Sequence, residues 1–314
     1  TANARGERFI ECDYWSGQMM LEFYRELEGG NGPVFLKINH LAEETISNIE
    51  TILHTNERPS RGRFHEGRHL NYRSGMVEMH ISEIGLCSGH SASGVWVDEH
   101  AATTVPGLYA AGDLACVPHN YMLGAFVYGK FAGESAAQYA TGRAHAPVDA
   151  AQVEKESARV LGPLNNPDGL PPSQVEYKLR RFVNDYLQPP KVTRKMEIGL
   201  ERFAEIEADL PFMSATSPHE LMRAMEVHFI RDCAEMAARA SLYRTESRWG
   251  LYHYRVDHPE KNDADWFCHV QLKKNEYGEV SCFKRPIDPY IIALHEDEKD
   301  AYNRMRIVKQ SAAA

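Results

Sequence analysis

The most informative stretch of this sequence is Val105-Pro106-Gly107-Leu108-Tyr109-Ala110-Ala111-Gly112-Asp113. The proline–glycine pair favours a turn, the apolar residues after it favour a buried strand, and Gly112 favours a tight corner. Asp113 is therefore expected at the carboxyl end of a strand, the edge at which open α/β sheets bind ligands. A helix predicted over residues 122–139 would direct the free N–H groups of its first turn towards the same place. This pattern favours a cofactor cleft, and the alternative is tight packing around a sheet corner.

A second cluster of small residues lies upstream, in Gly89-His90-Ser91-Ala92-Ser93-Gly94. It directly precedes a short apolar run at 95–97 that is predicted to be a strand. Because small residues let a backbone approach another group closely, this segment is expected to lie against a flat ligand.

The charge balance and length exclude several classes of protein. The 314 residues include 35 Lys+Arg and 44 Asp+Glu, for a formal net charge of −9. General binders of nucleic acid or of anionic membranes need a basic face, so neither partner is expected. The length allows roughly two or three domains, and no run of about 18 apolar residues predicts a membrane span. The chain opens with neither an initiator Met nor a secretory signal, which suggests a piece of a longer protein.

The six cysteines are spread singly along the chain, with no CxxC pair. This chain alone is therefore not expected to build a zinc ribbon or an iron–sulfur cluster. Scattered free thiols are typical of a reducing cytoplasm, which is the predicted location.

Local patterns predict a mixed first region and a helical second one. The first region has a turn at 29–33, a strand at 34–38, a helix over 41–54, and an Arg-, Gly- and His-rich loop over 56–74. A linker with one short helix is expected over 144–172. Helices then follow to about residue 245, and the remainder is polar and irregular, with a charged helix from about residue 296.

The helical region has two predicted capping boxes, Ser173 with Glu176 and Ser217 with Glu220. The second box opens a long helix whose apolar residues recur at three- and four-residue steps and are assigned to the core. These residues are Leu221, Met222, Met225, Phe229, Cys233, Met236, Ala237 and Ala240.

His65-Glu66-Gly67-Arg68-His69 matches the HExxH pattern of zinc hydrolases. That chemistry needs both histidines on one face of a buried helix. Here a glycine and an arginine lie inside the motif and no apolar stripe accompanies it, so a solvated loop is the favoured interpretation. The loop is expected to face an anion, because it carries several guanidiniums. They belong to Arg61, Arg63, Arg68 and Arg73.

Three blocks of this sequence resemble the fumarate reductase/succinate dehydrogenase flavoprotein superfamily. Residues 105–113 with Gly129–Ala137 resemble its second FAD-contacting segment, and Gly6-Glu7-Arg8-Phe9-Ile10 resembles the GERF turn of its capping domain. Glu246-Ser247-Arg248-Trp249-Gly250-Leu251-Tyr252-His253, with the later Asp257-His258-Pro259 and Asp265-Trp266, resembles its ESRG…DxP…W pattern. Within the superfamily, ESRWGLYH, GHSASGVWV and the short spacing from His119 to Gly129 most resemble the adenylylsulfate (APS) reductase alpha subunit.

The resemblance implies an α/β fold: the C-terminal part of a Rossmann-like FAD-binding domain with a capping-domain remnant. An α-helical bundle domain and an irregular C-terminal extension would follow. The implied regions are a capping remnant at 1–75, the second part of the FAD-binding domain at 76–145, a helical domain at 146–245 and the extension at 246–314.

The resemblance also implies site residues. His90 and His119 would lie on the substrate side of the flavin and act on an anionic substrate. The residues implied in FAD binding are Gly89, Gly94, Gly112, Asp113, Tyr121, Met122 and Leu123. Substrate contacts are implied for Trp15, Arg68 and Arg248, and no metal site is assigned.

Two departures from the family pattern shape the predicted function. No GxGxxG opens a helix, so an N-terminal FAD-binding portion, in the same or another chain, is expected to complete the site. The two arginines with which fumarate reductases grip a dicarboxylate are also absent, which disfavours fumarate or succinate.

The predicted function is that of an FAD-dependent oxidoreductase resembling APS reductase. It would exchange two electrons between flavin N5 and a small anionic substrate, with a ferredoxin-like iron–sulfur subunit as electron partner. The alternatives are a fumarate reductase or L-aspartate oxidase type of dehydrogenase, a zinc hydrolase at His65 and His69, and a non-catalytic assembly subunit.

Overall fold

A computed structural model describes residues 1–10, 16–56, 59–81, 93–117, 121–144 and 147–287 of the chain. The chain divides into two compact units. The first contains Thr1–Ser82, Glu246–His269 and the described residues from Lys284, and the second contains Glu83–Thr245 and Val270–Phe283. The domain boundaries expected from the sequence stay a prediction.

The first unit begins with helix α1, Ser16–Glu28, and strand β1, Val34–Leu36. Helix α2, Glu43–Thr51, continues into a π-helical turn, Ile52–Asn56, and is followed by helix α3, Pro59–Glu66. Strand β2, Val77–Met79, pairs antiparallel with β1. The predicted strand and α2 are confirmed, whereas the loop predicted over 56–74 is wrong, because its first part is α3.

Residues 93–117 of the second unit have little regular structure. Val95 makes a single parallel bridge to Ala115, and Ala102 a single antiparallel bridge to Tyr109. A short 3-10 turn, Gly112–Leu114, leads towards helix α4, Tyr121–Ala140. The predicted helix is therefore confirmed, but the strands around it are reduced to isolated bridges. The Rossmann-like sheet stays a prediction.

The helical part of the second unit has four helices: α5, Ala150–Leu161; α6, Pro172–Tyr186; α7, Thr193–Asp209; and α8, Pro218–Tyr243. Side chains from α6, α7 and α8 form one apolar core. Its centre is built from Leu179, Met196, Phe203, Ile206 and Val227, which are almost completely buried. None of the described helices is both long and apolar enough to cross a bilayer.

Beyond the helices, a one-turn helix α9, Asp263–Trp266, precedes strands β3, Cys268–Lys274, and β4, Val280–Pro286. Among the described residues, these strands form the second of two two-stranded sheets. The region predicted to be irregular therefore contains a hairpin, and the helix predicted from residue 296 lies outside the described residues. The described part of the chain is mostly helical, which confirms the expected helical domain, while the α/β part of the expected fold stays a prediction.

Helix α8 corrects the predicted core stripe. Its core face is formed by the small residues Ala224, Val227, Ala234, Ala238 and Ser241. On the other side, Met222, Phe229 and Met236 are 51%, 60% and 49% exposed, and Cys233 is exposed as well. Helical spacing predicts that the large apolar side chains of α8 lie in the core. The helix has two apolar faces, however, and the face that is buried is the one with smaller side chains.

The two capping boxes have different outcomes. Ser217 caps α8, since its hydroxyl accepts a bond from the Glu220 N–H at 3.2 Å. The Glu220 carboxylate accepts from the Thr216 N–H at 2.7 Å rather than from the cap residue itself. Ser173 is not a cap, because α6 already begins at Pro172.

Candidate flavin-binding segment

The corner at Gly112 and Asp113 is built by close backbone packing. Gly112 has a φ of +65°, the left-handed region that favours glycine, and a Cβ there would lie 3.5 Å from the Cβ of Ala125 in α4. This is an ordinary van der Waals distance, so the corner packs against the second turn of α4. The positive φ is therefore what favours glycine at this position. The Asp113 side chain is exposed at the corner, and a carboxylate is the kind of acceptor to which ligand hydroxyls donate.

Gly94 is required by the protein's own backbone. Its φ is +152°, and a Cβ would lie 2.2 Å from the carbonyl oxygen of Leu114. The N–H of Val95 donates to that same oxygen at 2.8 Å, and the N–H of Cys116 donates to the Val95 carbonyl at 2.8 Å. Tight packing therefore explains this glycine without a ligand, and its role in cofactor binding stays a prediction.

The remaining cofactor and catalytic candidates are only partly within the described residues. Gly89, His90, His119 and Trp15 lie outside them. Tyr121, Met122 and Leu123 form the first turn of α4, whose N–H groups have no helical partners and carry a partial positive charge. Met122 is 68% exposed. The first turn of α4 therefore has the backbone N–H groups that the predicted contact with the flavin requires, and the contact itself stays a prediction.

One face of α4 is apolar and is not covered by any of the residues that the structure describes. Met122, Phe126, Gly129 and Gly133 recur at steps of three or four residues, and Phe126 is 69% exposed. Apart from the adjoining backbone of α4 itself, no atom of the described residues lies within 4 Å of a Cβ placed on either glycine. We call these four residues the α4 stripe. Its glycine spacing is readable in the sequence, but the exposure is visible only in the fold.

Arg248 is held by acidic side chains. Its Nε donates to Glu246 at 2.6 Å, and its Nη2 donates to Glu246 at 3.1 Å and to Asp263 at 2.7 Å. Burial opposes the charge of Arg248, but these bonds outweigh it and raise the pKa of the guanidinium. The pKa of Asp263 is lowered: burial opposes this, and bonds from Lys261 and Arg248 outweigh it. Arg248 as a substrate contact stays a prediction, and its geometry favours a structural role.

The rest of the C-terminal motif forms a buried hydrogen-bonded scaffold. The Ser247 hydroxyl accepts from the Arg255 N–H at 2.8 Å and donates to the His258 carbonyl at 2.8 Å. Arg255 is itself buried and bonds Asp257 with two nitrogens, each at 3.1 Å. Glu246 and Ser247 organise this loop through partners up to 16 residues away, which no local sequence pattern reveals.

The HExxH segment does not have the geometry of a zinc site. Helix α3 ends at Glu66, and His69 follows in a turn with a φ of +56°. The two histidines are therefore not one turn apart on a continuous helix. Arg68, predicted as a substrate contact, lies over the ring of Phe64 at 3.7 Å, and its predicted role is not tested by this contact.

The sequence of residues 176–300 matches the family described as fumarate reductase flavoprotein C-term. This match lies in the C-terminal part of the chain and covers less than half of its length. The resemblance to this superfamily, inferred from three motif blocks, is confirmed.

Relatives of this flavoprotein domain are flavin enzymes by name. An uncharacterized FAD-dependent oxidoreductase of Methanocaldococcus jannaschii is 25% identical over 263 residues, 80% of this chain and 45% of the relative. The fumarate reductase flavoprotein subunit of Mycobacterium tuberculosis is 30% identical over 217 residues, 62% of this chain and 36% of that subunit. This chain therefore spans less than half the length of either relative.

The fold of the flavoprotein domain is also that of a solved enzyme. Adenylylsulfate reductase of Archaeoglobus fulgidus superposes with a TM-score of 0.81, over 94% of this chain and 56% of that one. The sequence identity is 24%, so this likeness establishes the fold and leaves the activity to be argued.

Proposed function

We propose that this chain forms the C-terminal half of an FAD-dependent oxidoreductase. The observation that carries the proposal is the corner at Gly112 and Asp113. It packs against α4 while leaving the Asp113 carboxylate exposed. The names of the relatives, an FAD-dependent oxidoreductase and a flavoprotein subunit, support it.

The residues at this corner have the chemistry that FAD requires. The Asp113 carboxylate is an acceptor for the ribityl hydroxyls, and the first turn of α4 offers N–H groups that have no partner within the helix to the pyrimidine edge. When bound, FAD supplies the capacity to accept or donate two electrons at N5. The positive end of α4 favours a flavin that carries negative charge.

His90 and His119 are proposed to act on the substrate. An imidazole can donate a hydrogen bond to an anion or move a proton near neutral pH. A small anionic substrate fits this pair of donors, and APS reductase is the proposed type. A fumarate reductase type of dehydrogenase is the second candidate, favoured by the match of residues 176–300. An iron–sulfur subunit is proposed as the electron partner.

The α4 stripe supports a further part of the proposal, that another portion of the flavoprotein covers it. A helix normally turns its apolar stripe towards a packed interior rather than towards solvent. The two glycines would let a neighbouring backbone approach α4 closely. Burying this stripe would complete the FAD-binding domain, with the covering portion in the same or another chain.

The test is the flavin content of the intact protein purified from its source, compared with that of Asp113→Asn. Because hydrogen bonds to a charged acceptor contribute about 1.5–3 kcal/mol, we expect the variant to bind FAD at least roughly tenfold more weakly. Glu134→Gln is the control, since it removes an exposed carboxylate from α4. A colourless wild-type protein, or full flavin retention in Asp113→Asn, would contradict the proposal.

A further inference from the structure

A buried tyrosine hydroxyl joins two histidines beside α3. The Tyr72 hydroxyl is 2.6 Å from His65 Nδ1 and 3.3 Å from His54 Nε2. Both imidazoles meet the Tyr72 ring edge-on, with centroids 5.8 and 5.9 Å away. Tyr72 is 2% exposed, and within the described residues its hydroxyl has no other hydrogen-bond partner. The two imidazoles are therefore the groups that satisfy this hydroxyl.

These contacts hold α3 against the turn that precedes it. A Cβ at Gly62 would lie 2.7 Å from Cγ and 2.9 Å from Cα of His54, so α3 packs directly on the π-helical turn that carries His54. Gly62 is the one buried residue of α3, and it has no side chain to contribute apolar burial. The packing of α3 therefore depends strongly on the Tyr72 hydroxyl, which bonds His54 in the turn and His65 in the helix.

The number of protons on the two imidazoles decides whether both contacts can be hydrogen bonds. A phenol has one proton to donate, and its oxygen can accept. With two neutral rings, or with one neutral ring and one imidazolium, one ring donates to the oxygen and the other accepts from the hydroxyl. With two imidazoliums both rings donate, because neither has a free lone pair, and the buried hydroxyl proton is left without an acceptor among the described residues. This result is the same whichever ring accepts.

The surrounding charges also oppose a second proton. Charged groups of α2, of α3 and of the turn after α3 act on the cluster: Glu50, Arg61 and Arg68. Glu50, the carboxylate of this set, already bonds Arg73 at 2.8 Å. Burial lowers the pKa of His65, and the positive charge of Arg61, His54 and Arg68 lowers it further. Such a histidine favours the unfolded state once the pH falls below its ordinary pKa of about 6.5.

We propose that His54, Tyr72 and His65 form an acid-sensitive latch, which holds α3 on the π-helical turn with at most one added proton and releases it when a second proton binds. The hydroxyl is the shared element, because it is the one group that both rings contact. Protonation of two rings around one buried hydroxyl adds a second charge and leaves a donor unsatisfied, so it favours the open state. The latch does not depend on the flavin proposal.

The test is amide hydrogen exchange of the intact protein at about pH 7 and about pH 5, corrected for the intrinsic pH dependence of exchange. The reporters are the N–H groups of Gly67 and Leu70, which donate to the carbonyls of Arg63 and His65 at 2.9 and 3.1 Å and close the end of α3. We expect their protection to be roughly tenfold lower at the acidic pH, since one unit of pKa difference is a factor of ten. Helix α6 contains no histidine and should keep its protection.

Three variants separate the latch from a general effect of acid. His54→Gln keeps a donor and an acceptor for the Tyr72 hydroxyl but cannot take up a proton, so its protection should change by less than roughly twofold between the two pH values. Tyr72→Phe keeps the ring and removes the hydroxyl, which should lower protection at pH 7 and reduce its dependence on pH. His80→Gln is the matched control, because it removes an exposed histidine outside the cluster and should behave as the wild-type protein does.

NMR of the protein labelled with ¹⁵N-histidine relates the exchange to the protons themselves. The first of the two rings should become protonated while Gly67 and Leu70 stay protected, and protection should be lost with the second. The proposal is overturned if wild-type protection is equal at the two pH values, or if it is lost with the first proton. It is also overturned if His54→Gln loses protection as the wild-type protein does, or if His80→Gln prevents the loss.

Discussion

Replacing Glu246 should destabilise the protein more than replacing an exposed acidic residue. Its side chain is 0% exposed, and it accepts two bonds from Arg248 and one from the Asn262 N–H at 2.8 Å. Removing one partner of a buried ion pair costs about 3–5 kcal/mol, because the other charge is left without compensation. Asp263 would still bind Arg248 at 2.7 Å, which places the expected loss for Glu246→Ala near the lower end of that range.

The substitution Glu246→Gln separates the loss of charge from the loss of the whole side chain. The amide keeps an oxygen for the Asn262 N–H but loses the charge that faces Arg248, so we expect a loss of about 2 kcal/mol. Glu197→Gln is the control, because Glu197 pairs with Arg194 on the surface, where the two side chains are 45% and 70% exposed. Exposed pairs contribute about 0.2–1 kcal/mol.

Urea unfolding followed by tryptophan fluorescence measures these differences. Trp266 is a suitable probe, because it is buried and its carbonyl accepts from Arg248 at 3.5 Å. A loss in Glu246→Gln no larger than that in Glu197→Gln would refute the reasoning. The pairing with Glu246 would then not be structural, and the predicted role of Arg248 as a substrate contact would be favoured over a structural one.

Two further predictions concern the helical core. Leu179→Ala, at a completely buried position, should cost about 2–5 kcal/mol, whereas Phe229→Ala, at an exposed position of α8, should stay within about 0.5 kcal/mol in the same urea assay. The pKa of Glu176 lies below its usual value, chiefly through hydrogen bonds from Arg180 and Arg223. A carboxylate whose pKa is lower in the folded state than in the unfolded state stabilises the protein at pH values above the unfolded-state pKa. This contribution is lost as the pH falls through the folded-state pKa. Glu176→Gln should therefore lower the free energy of unfolding by about 1 kcal/mol at neutral pH, and a difference undiminished at about pH 3 would contradict this.

Local chemistry explains which parts of the fold were predictable. The cap at Ser217 and the start of α8 depend on residues within four positions of each other, so the sequence contains the whole interaction. The C-terminal boundary of α4 is similar, because Gly142, with a φ of +73°, ends the helical pattern. Helix α3 was missed because its residues have no apolar periodicity. It is held by the contact of Gly62 with His54, which no local pattern contains.

The residues of the candidate site also differ in whether their contacts are local in sequence. Asp113 could be predicted at a corner because the turn and glycine residues that place it are its neighbours in sequence. The role of Arg248 could not, since the same arginine in a motif serves a substrate or a scaffold depending on which carboxylates the fold brings near. Asp263 is 15 residues away and is joined to Arg248 only after the loop closes. The motifs were therefore enough to find the resemblance to the superfamily, whereas the contacts of each charged residue could be described only from the structure.

Apolar periodicity has a further ambiguity, which α4 and α8 make concrete. Burying a stripe of apolar residues gains the same free energy in the chain's own core as against another surface. The spacing of the stripe alone therefore does not distinguish a core face from an interface. On α8 the small residues meet the core and the large ones, such as Phe229, do not. On α4 the stripe carries Gly129 and Gly133 with open space around them within the described residues. Glycine in a helix costs about 1 kcal/mol relative to alanine, a cost that a close backbone neighbour can offset. The two glycines therefore argue that the α4 stripe is an interface, and that its neighbour is backbone or small side chains.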